Sequence, residues 1–534
     1  MQYTNINRAG SKILIREIDS DGKKSSRTEF YSPRLFVRVP EGYKTEWKDI
    51  LGNPVAEKTF RNAWEMSKYV KEYKGLEEIS GNSNVCYQFI NDNYGDEFDT
   101  KLIDVMFLDI EVNTKINVNG TIIEGGFPKP DEAKFEVTAI CCYSTMLKKY
   151  VEFSTAKWDR GKSVLSYKDK VIYIPCRDEK EIFRKFFTYF ERSYPHIITG
   201  WNVLEFDIPY LCNRVRMLFG EKEMERFSPW GIVNEKTSRD NFGNDFSTFE
   251  FVGISVIDMI DAYKKYTYKN RESYKLSHIM KCEFDEEECR KMTFEESSYG
   301  DLYLNNPQRF VDYNINDVFC VVKIEELLKL LDICMTLSYY AGINIGDNFS
   351  TIKVWEGIFY KECLKRNITI PFKKDNPKPV FQGAHVFETV NGLHKCICSF
   401  DFASLYPSLL REFNIGYDTF VREPYRKECF DYIRKVLESN NDRELIEAIF
   451  ARSSIEDYFV EHLDFPEYFS QALKKLNVTM TANCQLFYVD RTSIFSEMTK
   501  KIYLERKANK KLMQEWHKEE QRVEKEIQRR KQNV

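Results

Sequence analysis

Residues 105–112 read Val-Met-Phe-Leu-Asp-Ile-Glu-Val, an apolar run interrupted by two acids. Such a run predicts a β-strand, and because side chains alternate along a strand, Asp109 and Glu111 point to the same face. Two neighbouring carboxylates repel each other by a few kcal/mol at about 4 Å and intermediate dielectric. A divalent cation would compensate that repulsion. The alternative is that both acids lie on an exposed edge strand.

Two later segments supply further acids. Asp207 lies between Phe206 and Ile208, an apolar setting in which an unpaired charge is costly. Tyr313 and Asp317 are four residues apart and share one face of a predicted helix. Taken alone, a pair with this spacing usually marks a helix surface, so the order of all the segments carries the argument.

In this order, D-x-E, N-x-x-x-F-D and Y-x-x-x-D resemble the three exonuclease motifs of the DEDD nucleases, in the subgroup that bears the tyrosine. The resemblance implies an RNase H-like fold over residues 105–338. It also implies two-metal hydrolysis with two Mg²⁺ ions per active site, for which Mn²⁺ can substitute. Tyr313 would help to position the attacking water, and Lys291 would correspond to a family lysine near the scissile phosphate. The implied catalytic metal ligands are Asp109, Glu111, Asp207 and Asp317.

Residues 399–409 read Ser-Phe-Asp-Phe-Ala-Ser-Leu-Tyr-Pro-Ser-Leu. An apolar run that ends in a carboxylate predicts Asp401 at the end of a buried strand, followed by a tight turn that bears Pro407. A metal ligand, backbone N–H donors and an aromatic ring are the parts that a metal-bound triphosphate needs.

The pattern D-x-x-S-L-Y-P-S resembles the first catalytic motif of family B DNA polymerases. By that resemblance Asp401 is a catalytic metal ligand of the polymerase site. The implied nucleotide-binding residues are Ser404, Leu405 and Tyr406, and the Tyr406 ring would pack beneath the deoxyribose.

The last 36 residues contain neither Gly nor Pro and predict one long basic helix, with 12 Lys/Arg against 6 Glu over residues 500–534. Residues 503–511 resemble the first fingers helix of the same family. Arg506 and Lys510 share a face of that helix, which suits binding of the incoming triphosphate. The alternative for such a run is a solvated helix surface.

The order of these motifs resembles family B polymerases of T-even-like bacteriophages, with a Gly-Phe-Pro-x-Pro loop at 126–130, a hairpin around Gly243 and a linker motif at 381–384. We therefore expect a multidomain protein of the α/β and α+β classes. It would contain an RNase H-like exonuclease domain, a partial palm and a long fingers helix. The expected segments are an N-terminal α+β domain (1–104), the 3′→5′ exonuclease (105–338), a return to the N-terminal domain with a linker (339–378), the first part of the palm (379–490) with an unassigned insertion (425–475), and the first fingers helix (491–534).

The family's second fingers helix and its Asp-Thr-Asp strand are absent from the sequence. One hypothesis is that the chain is the N-terminal part of a replicative DNA polymerase with a proofreading exonuclease, completed by a missing C-terminal part or a second chain. The alternative is a stand-alone two-metal exonuclease of single-stranded DNA whose polymerase remnant binds DNA. A third, a non-catalytic DNA-binding module, does not account for four carboxylates at nuclease spacing. The expected partners are a DNA primer-template, deoxynucleoside triphosphates, a second polymerase chain and, as a candidate, a sliding clamp.

Composition limits the number of domains, the kind of DNA contact and the cellular location that we expect. The 534 residues should form more than one domain, since single cores rarely grow past roughly 250–300 residues. A net charge of −4 excludes a general polycation, so DNA contacts must come from local basic patches. The 14 Cys and 6 His show no zinc-site spacing and predict free thiols. With no apolar stretch near the roughly 20 residues of a membrane span and no secretory start, we expect a cytoplasmic protein, in the host cytoplasm if viral.

Overall fold

The computed structural model describes residues 1–73, 78–118, 121–124, 126–239, 245–285, 299–372, 387–402 and 404–532. The motifs predicted at Lys291 and at residues 381–384 lie outside these ranges. The chain divides into two compact units, Met1–Val37 with Glu57–Arg366 and Arg38–Ala56 with Asn367–Val534. Within the described ranges, no helix combines the length and the apolarity needed to cross a membrane. The predicted bounds of the five segments stay a prediction.

The strands of the chain, in order, are β1 (Gln2–Ala9), β2 (Lys12–Ile18), β3 (Lys24–Phe30), β4 (Arg34–Arg38), β5 (Lys48–Asp49), β6 (Val55–Thr59), β7 (Ile79–Ser80), β8 (Val105–Val112), β9 (Lys115–Val118), β10 (Thr121–Glu124), β11 (Val137–Ser144), β12 (Lys149–Ser154), β13 (Val171–Pro175), β14 (Ile197–Gly200), β15 (Val233–Arg239), β16 (Asp245–Phe251), β17 (Ser255–Asp258), β18 (Ile368–Thr369), β19 (Val478–Met480) and β20 (Leu486–Tyr488).

The helices, in order, are α1 (Ala63–Tyr73), α2 (Val85–Asn93), α3 (Glu179–Arg192), α4 (Asp207–Phe219), α5 (Met259–Thr267), α6 (Leu276–Glu283), α7 (Tyr299–Asn305), α8 (Pro307–Leu328), α9 (Leu330–Ala341), α10 (Thr351–Lys365), α11 (Leu405–Glu412), α12 (Tyr425–Ser439), α13 (Arg443–Glu447), α14 (Glu456–His462), α15 (Glu467–Lys475) and α16 (Ile494–Gln532).

A six-stranded mixed sheet with the order β13-β12-β11-β8-β14-β17 is central to the first unit. Strand β8 pairs antiparallel with β11 and parallel with β14. Strand β8 lies between β11 and β14 in the sheet, and neither Asp109 nor Glu111 is exposed, so the alternative that places these two acids on an exposed edge strand is wrong. The strand signal in residues 105–112 is confirmed.

Apolar side chains cover both faces of this sheet. On one face Phe107 and Tyr150 pack in a cluster with α8, which contributes Phe310 and Val318. On the other face Leu108 packs in a second cluster that includes the Phe side chains of α3. Helix α8 starts at a proline, and the Asn306 side chain caps it by accepting from the Arg309 backbone N–H. The sheet and α8 therefore position the predicted acids of the first unit.

The hairpin predicted around Gly243 is present as the antiparallel pair β15 and β16, whose register runs from Val233 with Phe251 to Arg239 with Asp245. Its tip at residues 240–244 lies outside the described residues. In the second unit, α12 to α15 and the pair β19-β20 enclose an apolar cluster that includes Ile433, Leu437 and Leu486. The predicted insertion thus contributes to a packed core.

The prediction of a buried strand before Asp401 is wrong. Phe400 and Phe402 are 95% and 78% exposed, and the segment around them is neither strand nor helix. A strand forms only where its backbone pairs with a neighbouring strand, and among the described residues none pairs with residues 387–402. The tight turn predicted after Asp401 is also wrong, because residues from Leu405 onward form α11. Pro407 fits the first turn of that helix, where no backbone N–H partner is required.

Candidate functional site

Three carboxylates from two elements converge on the α8 face of the sheet. Asp109 and Glu111 project from β8, and Asp317 projects from α8. One carboxylate oxygen from each of the three lies within 4.8 Å of those of the other two. This spacing lets a single cation contact all three side chains, as oxygen-liganded divalent cations do.

Asp207 lies beside this group as the first residue of α4 and is buried. Its Oδ1 accepts a 3.0 Å hydrogen bond from the backbone N–H of Ile110, the residue between Asp109 and Glu111. The positive end of the α4 dipole favours a carboxylate at this position. The structure therefore brings the four predicted acids together, three in one tight group and the fourth fixed against the same strand.

Burial is the largest influence on the pKa values of the four carboxylates. Burial raises the pKa of Asp109 well above its usual range, and the charges of Asp207, Asp317 and Glu111 raise it further. Burial and the charges of Asp317 and Asp207 act in the same direction on the pKa of Glu111. Burial likewise raises the pKa of Asp207 to about 8 and that of Asp317 to about 7. Without a cation, several negative charges at this position are unfavourable.

Tyr313 hydrogen-bonds the Asp317 carboxylate, and this bond lowers the pKa of Asp317 against the larger effect of burial. The two residues are one helical turn apart on α8, as predicted. The phenol therefore lies at the edge of the carboxylate group. From this position the Tyr313 hydroxyl can hydrogen-bond a molecule that binds at the carboxylates and can orient it.

Asn314 belongs to the same site and had no role in the sequence prediction. Its Nδ2 donates a 2.6 Å hydrogen bond to Asp109 Oδ2, and its side chain is fully buried. A buried amide that directs an N–H group at a carboxylate holds that carboxylate in one orientation. The available signal was a polar residue on the buried face of a helix, next to Tyr313.

Asp258 and Gly200 shape the turn that leads into Asp207. The Asp258 carboxylate accepts backbone N–H bonds from Asn202, Leu204 and Ile260 at 2.9–3.1 Å. A Cβ added to Gly200 would meet the Leu108 carbonyl oxygen at 2.4 Å, so β14 approaches β8 closely only with glycine there. These contacts explain how the N-x-x-x-F-D segment reaches the group on β8.

In the second unit, Asp401 is exposed and precedes α11. Ser404 caps that helix with a left-handed backbone (φ 57°), Leu405 begins it, and Tyr406 is 75% exposed. Among the described residues, Asp401 belongs to no group of three closely spaced metal-ligating side chains. The roles predicted for Asp401, Ser404, Leu405 and Tyr406 therefore stay predictions.

Arg506 and Lys510 lie on α16, where the long helix was predicted, and both are exposed. Helix α11 packs beside the first turns of α16. Ser496 Oγ donates to the Leu410 carbonyl oxygen at 2.9 Å, and the Arg411 guanidinium lies 4.7 Å from the centre of the Tyr503 ring. The helix that bears Tyr406 is thus a neighbour of the helix that bears the two cations.

Comparison with known proteins places this geometry in a family. The family model for the exonuclease domain of DNA polymerase family B matches residues 83–279, which include Asp109, Glu111 and Asp207. The model described as DNA polymerase family B matches residues 350–534. The chain belongs to DNA polymerase family B.

Relatives of this family B chain include two bacteriophage proteins described as DNA-directed DNA polymerase. The Escherichia phage RB69 protein is 32% identical over 463 residues, which cover 82% of this chain and 50% of the relative. The Enterobacteria phage T4 protein is 32% identical over 440 residues, which cover 78% of this chain and 47% of the relative. The family B chain thus spans about half the length of these curated relatives.

A solved structure supports the same fold. The family B DNA polymerase from the hyperthermophilic archaeon Pyrobaculum calidifontis matches with a TM-score of 0.59 at 15% sequence identity. The match covers 96% of this chain and 64% of that one. Both units of the family B chain therefore have the fold of a polymerase of this family.

Proposed function

We propose that the first unit is a 3′→5′ exonuclease of RNase H-like fold. We also propose that the chain is the N-terminal part of a replicative DNA polymerase, and that the exonuclease proofreads the strand that this polymerase makes. The observation that carries the proposal is the group formed by Asp109, Glu111 and Asp317, whose carboxylate oxygens lie within 4.8 Å of one another. Asp207 is held against the same strand. Carboxylates in this arrangement suit the hydrolysis of a phosphodiester with divalent cations.

The four carboxylates fit Mg²⁺, because oxygen donors are its preferred ligands. The raised pKa values of Asp109 and Glu111 reflect the cost of negative charge at this position, which a bound cation would neutralise. We propose two Mg²⁺ ions per site, with Mn²⁺ as a substitute, held by Asp109, Glu111, Asp207 and Asp317. When bound, the ions would stabilise negative charge on the attacked phosphate. The Tyr313 hydroxyl would orient the attacking water, and Asn314 would hold Asp109 in its ligating orientation.

The second unit is proposed to supply the first part of the polymerase site. Asp401 would be a metal ligand, Ser404, Leu405 and Tyr406 would contact the nucleotide, and Arg506 and Lys510 would bind its phosphates. The D-x-x-S-L-Y-P-S motif and the packing of α11 beside α16 support this proposal. The substrates would be a DNA primer-template and deoxynucleoside triphosphates. Synthesis would need the remaining polymerase region, from the same polypeptide or from a second chain, and a sliding clamp is a candidate partner.

The exonuclease proposal is tested by digestion of single-stranded DNA that carries a 5′ label. The purified chain should shorten the strand from its 3′ end in Mg²⁺ or Mn²⁺ and should stop when the metal is chelated. Asp109→Ala combined with Glu111→Ala should lower the rate by at least about a thousandfold, because two ligands of the group are lost.

The matched control is Glu205→Gln. This exposed carboxylate lies two residues from Asp207 and outside the group, so its loss should leave the rate unchanged. Equal rates for the wild type and the double variant, with both proteins folded by circular dichroism, would contradict the proposed site.

A further inference from the structure

The predicted insertion exposes an apolar surface that the proposed function does not use. Phe459, Val460 and Leu463, on α14 and at its end, are 46%, 67% and 76% exposed. We call these three residues the α14 patch. All of the residues from 459 to 464 are exposed. Three large apolar side chains grouped in this way are typical of a surface that contacts another molecule.

A neighbouring face of α14 is anchored in the second unit, and the Phe459 ring itself lies 5.6 Å from the Phe465 ring, so the patch has a fixed orientation. Tyr458 and the preceding Ile455 are buried in the apolar cluster of the second unit. The Tyr458 ring stacks on Phe465, with the ring centres 5.8 Å apart. The apolar face that this helix needs for its own packing is therefore already covered, and the α14 patch is an additional apolar face.

Carboxylates surround the α14 patch. The stretch 438–467 carries nine Asp and Glu residues against two Arg. The side chains of Glu444, Glu447 and Asp457 are 52%, 59% and 76% exposed. One of the two Arg residues, Arg452, is already paired with Glu447 at 2.9 Å and lies 3.6 Å from Asp457. The surface is thus strongly negative, and it would repel the phosphates of DNA.

We propose that the α14 patch docks a basic segment of a partner protein, one that presents at least one large apolar side chain among Lys or Arg residues. The apolar side chains would supply the desolvated centre of the contact, and the carboxylates around them would attract the basic segment and fix its register. The charge of the surface selects a basic polypeptide and disfavours nucleic acid. This contact is independent of the exonuclease site.

The test uses the full chain and a fluorescently labelled 18-residue helical peptide with Leu on one face and Lys on the other. A peptide with Glu in place of Lys and a scrambled peptide of the same composition are the controls. We expect fluorescence anisotropy to show binding of the Leu/Lys peptide, weakened by salt. The variant Val460→Ser with Leu463→Ser should weaken this binding at least about tenfold.

The matched control variant is Val489→Ser, which changes an equally large apolar side chain, 50% exposed in the same unit but outside the patch. It should bind the peptide as the wild type does, and all proteins should melt at similar temperatures. Equal binding by the wild type and the patch variant would overturn the proposal, as would equal binding of the scrambled peptide. A loss of single-stranded DNA binding in the patch variant would assign the surface to nucleic acid instead. A dimer in sedimentation velocity that the patch variant abolishes would assign it to a second copy of this chain.

Discussion

The pKa of Asp109 depends on its burial, on three neighbouring carboxylates and on the Asn314 amide. Burial and the like charges raise its pKa, whereas the hydrogen bond from Asn314 lowers it. The amide therefore favours the ionised form of Asp109, which is the form that binds a cation. Asn314 acts as a positioning residue, since it works through Asp109.

We expect Asn314→Ala to slow digestion of single-stranded DNA by about tenfold or more, because a hydrogen bond to a charged group contributes about 1.5–3 kcal/mol. The concentration of Mn²⁺ that gives half the maximal rate should rise as well. The control is Asn316→Ala, which removes a buried amide of the same helix whose Oδ1 accepts from Tyr167. Its loss should lower the melting temperature but leave the metal requirement unchanged. An unaltered metal requirement in Asn314→Ala would refute the positioning role.

The raised pKa values also predict how stability depends on pH. The pKa of Asp207 is about 8 and that of Asp317 about 7 in the folded chain, against about 3.9 for an unfolded Asp. Between about pH 4 and pH 8 the folded, metal-free chain therefore binds more protons than the unfolded chain. Its free energy of unfolding should fall as the pH rises through this window, because these carboxylates lose protons that the folded state holds more tightly than the unfolded state.

Thermal melting in a chelator from pH 5 to pH 8 checks this expectation. Asp207→Asn should flatten the decline, whereas the exposed control Glu205→Gln should not. Added Mg²⁺ should raise the melting temperature more at pH 8 than at pH 5, since the ionised group binds it. A Mg²⁺ effect of equal size at both pH values would argue against a metal site among these carboxylates.

Among the helices and strands, local patterns predicted the convergence of the four acids in the first unit well and the structure around Asp401 poorly. The alternation in residues 105–112 fixes the shared face of Asp109 and Glu111, and the spacing of Tyr313 and Asp317 fixes their helix face. The state of the segment before Asp401 depends on a neighbouring strand, which no local pattern encodes. Asp258 was missed for a related reason, because its role arises from backbone N–H groups more than 50 residues away in the chain.

Strand β14 can approach β8 closely because residue 200 is a glycine and has no side chain. In Gly200→Ala the new Cβ would lie 2.4 Å from the Leu108 carbonyl oxygen, so β14 must shift. We expect a loss of about 1–3 kcal/mol in the free energy of unfolding, as for other overpacked sites, measured by urea denaturation. Digestion should slow as well, because the shifted strand leads into Asp207. Gly95→Ala is the control, since a Cβ there meets nothing within 4 Å. Equal stability of the two variants would contradict the close approach.

As a whole molecule, the chain spans about half the length of its phage relatives, and among the described residues Asp401 belongs to no group of three closely spaced metal-ligating side chains. Nucleotidyl transfer by two metals needs more than one carboxylate at the metals. On α16, Leu504, Leu512 and Trp516 are spaced at multiples of four residues and are 54%, 52% and 73% exposed, which makes an apolar stripe that a further polypeptide segment could cover.

We therefore expect the 534-residue chain to digest DNA but to extend no primer by itself. Extension should appear when a polypeptide with the family's second fingers helix and Asp-Thr-Asp strand is added. In that mixture Asp401→Ala should abolish extension while digestion continues, and Tyr406→Ala should admit ribonucleotides more readily than the wild type. Primer extension by the purified chain alone would contradict this expectation, because it would require a polymerase site with metal ligands that we have not identified.

The four-carboxylate site is tested directly by a crystal structure of the chain with Mn²⁺ and a short single-stranded oligonucleotide, measured for the anomalous signal of Mn²⁺. We expect two anomalous peaks about 3.5–4 Å apart, in contact with Asp109, Glu111, Asp207 and Asp317 and next to the 3′-terminal phosphate. A DNA-bound structure with no Mn²⁺ among these four carboxylates, or with the DNA 3′ end bound elsewhere on the first unit, would contradict it.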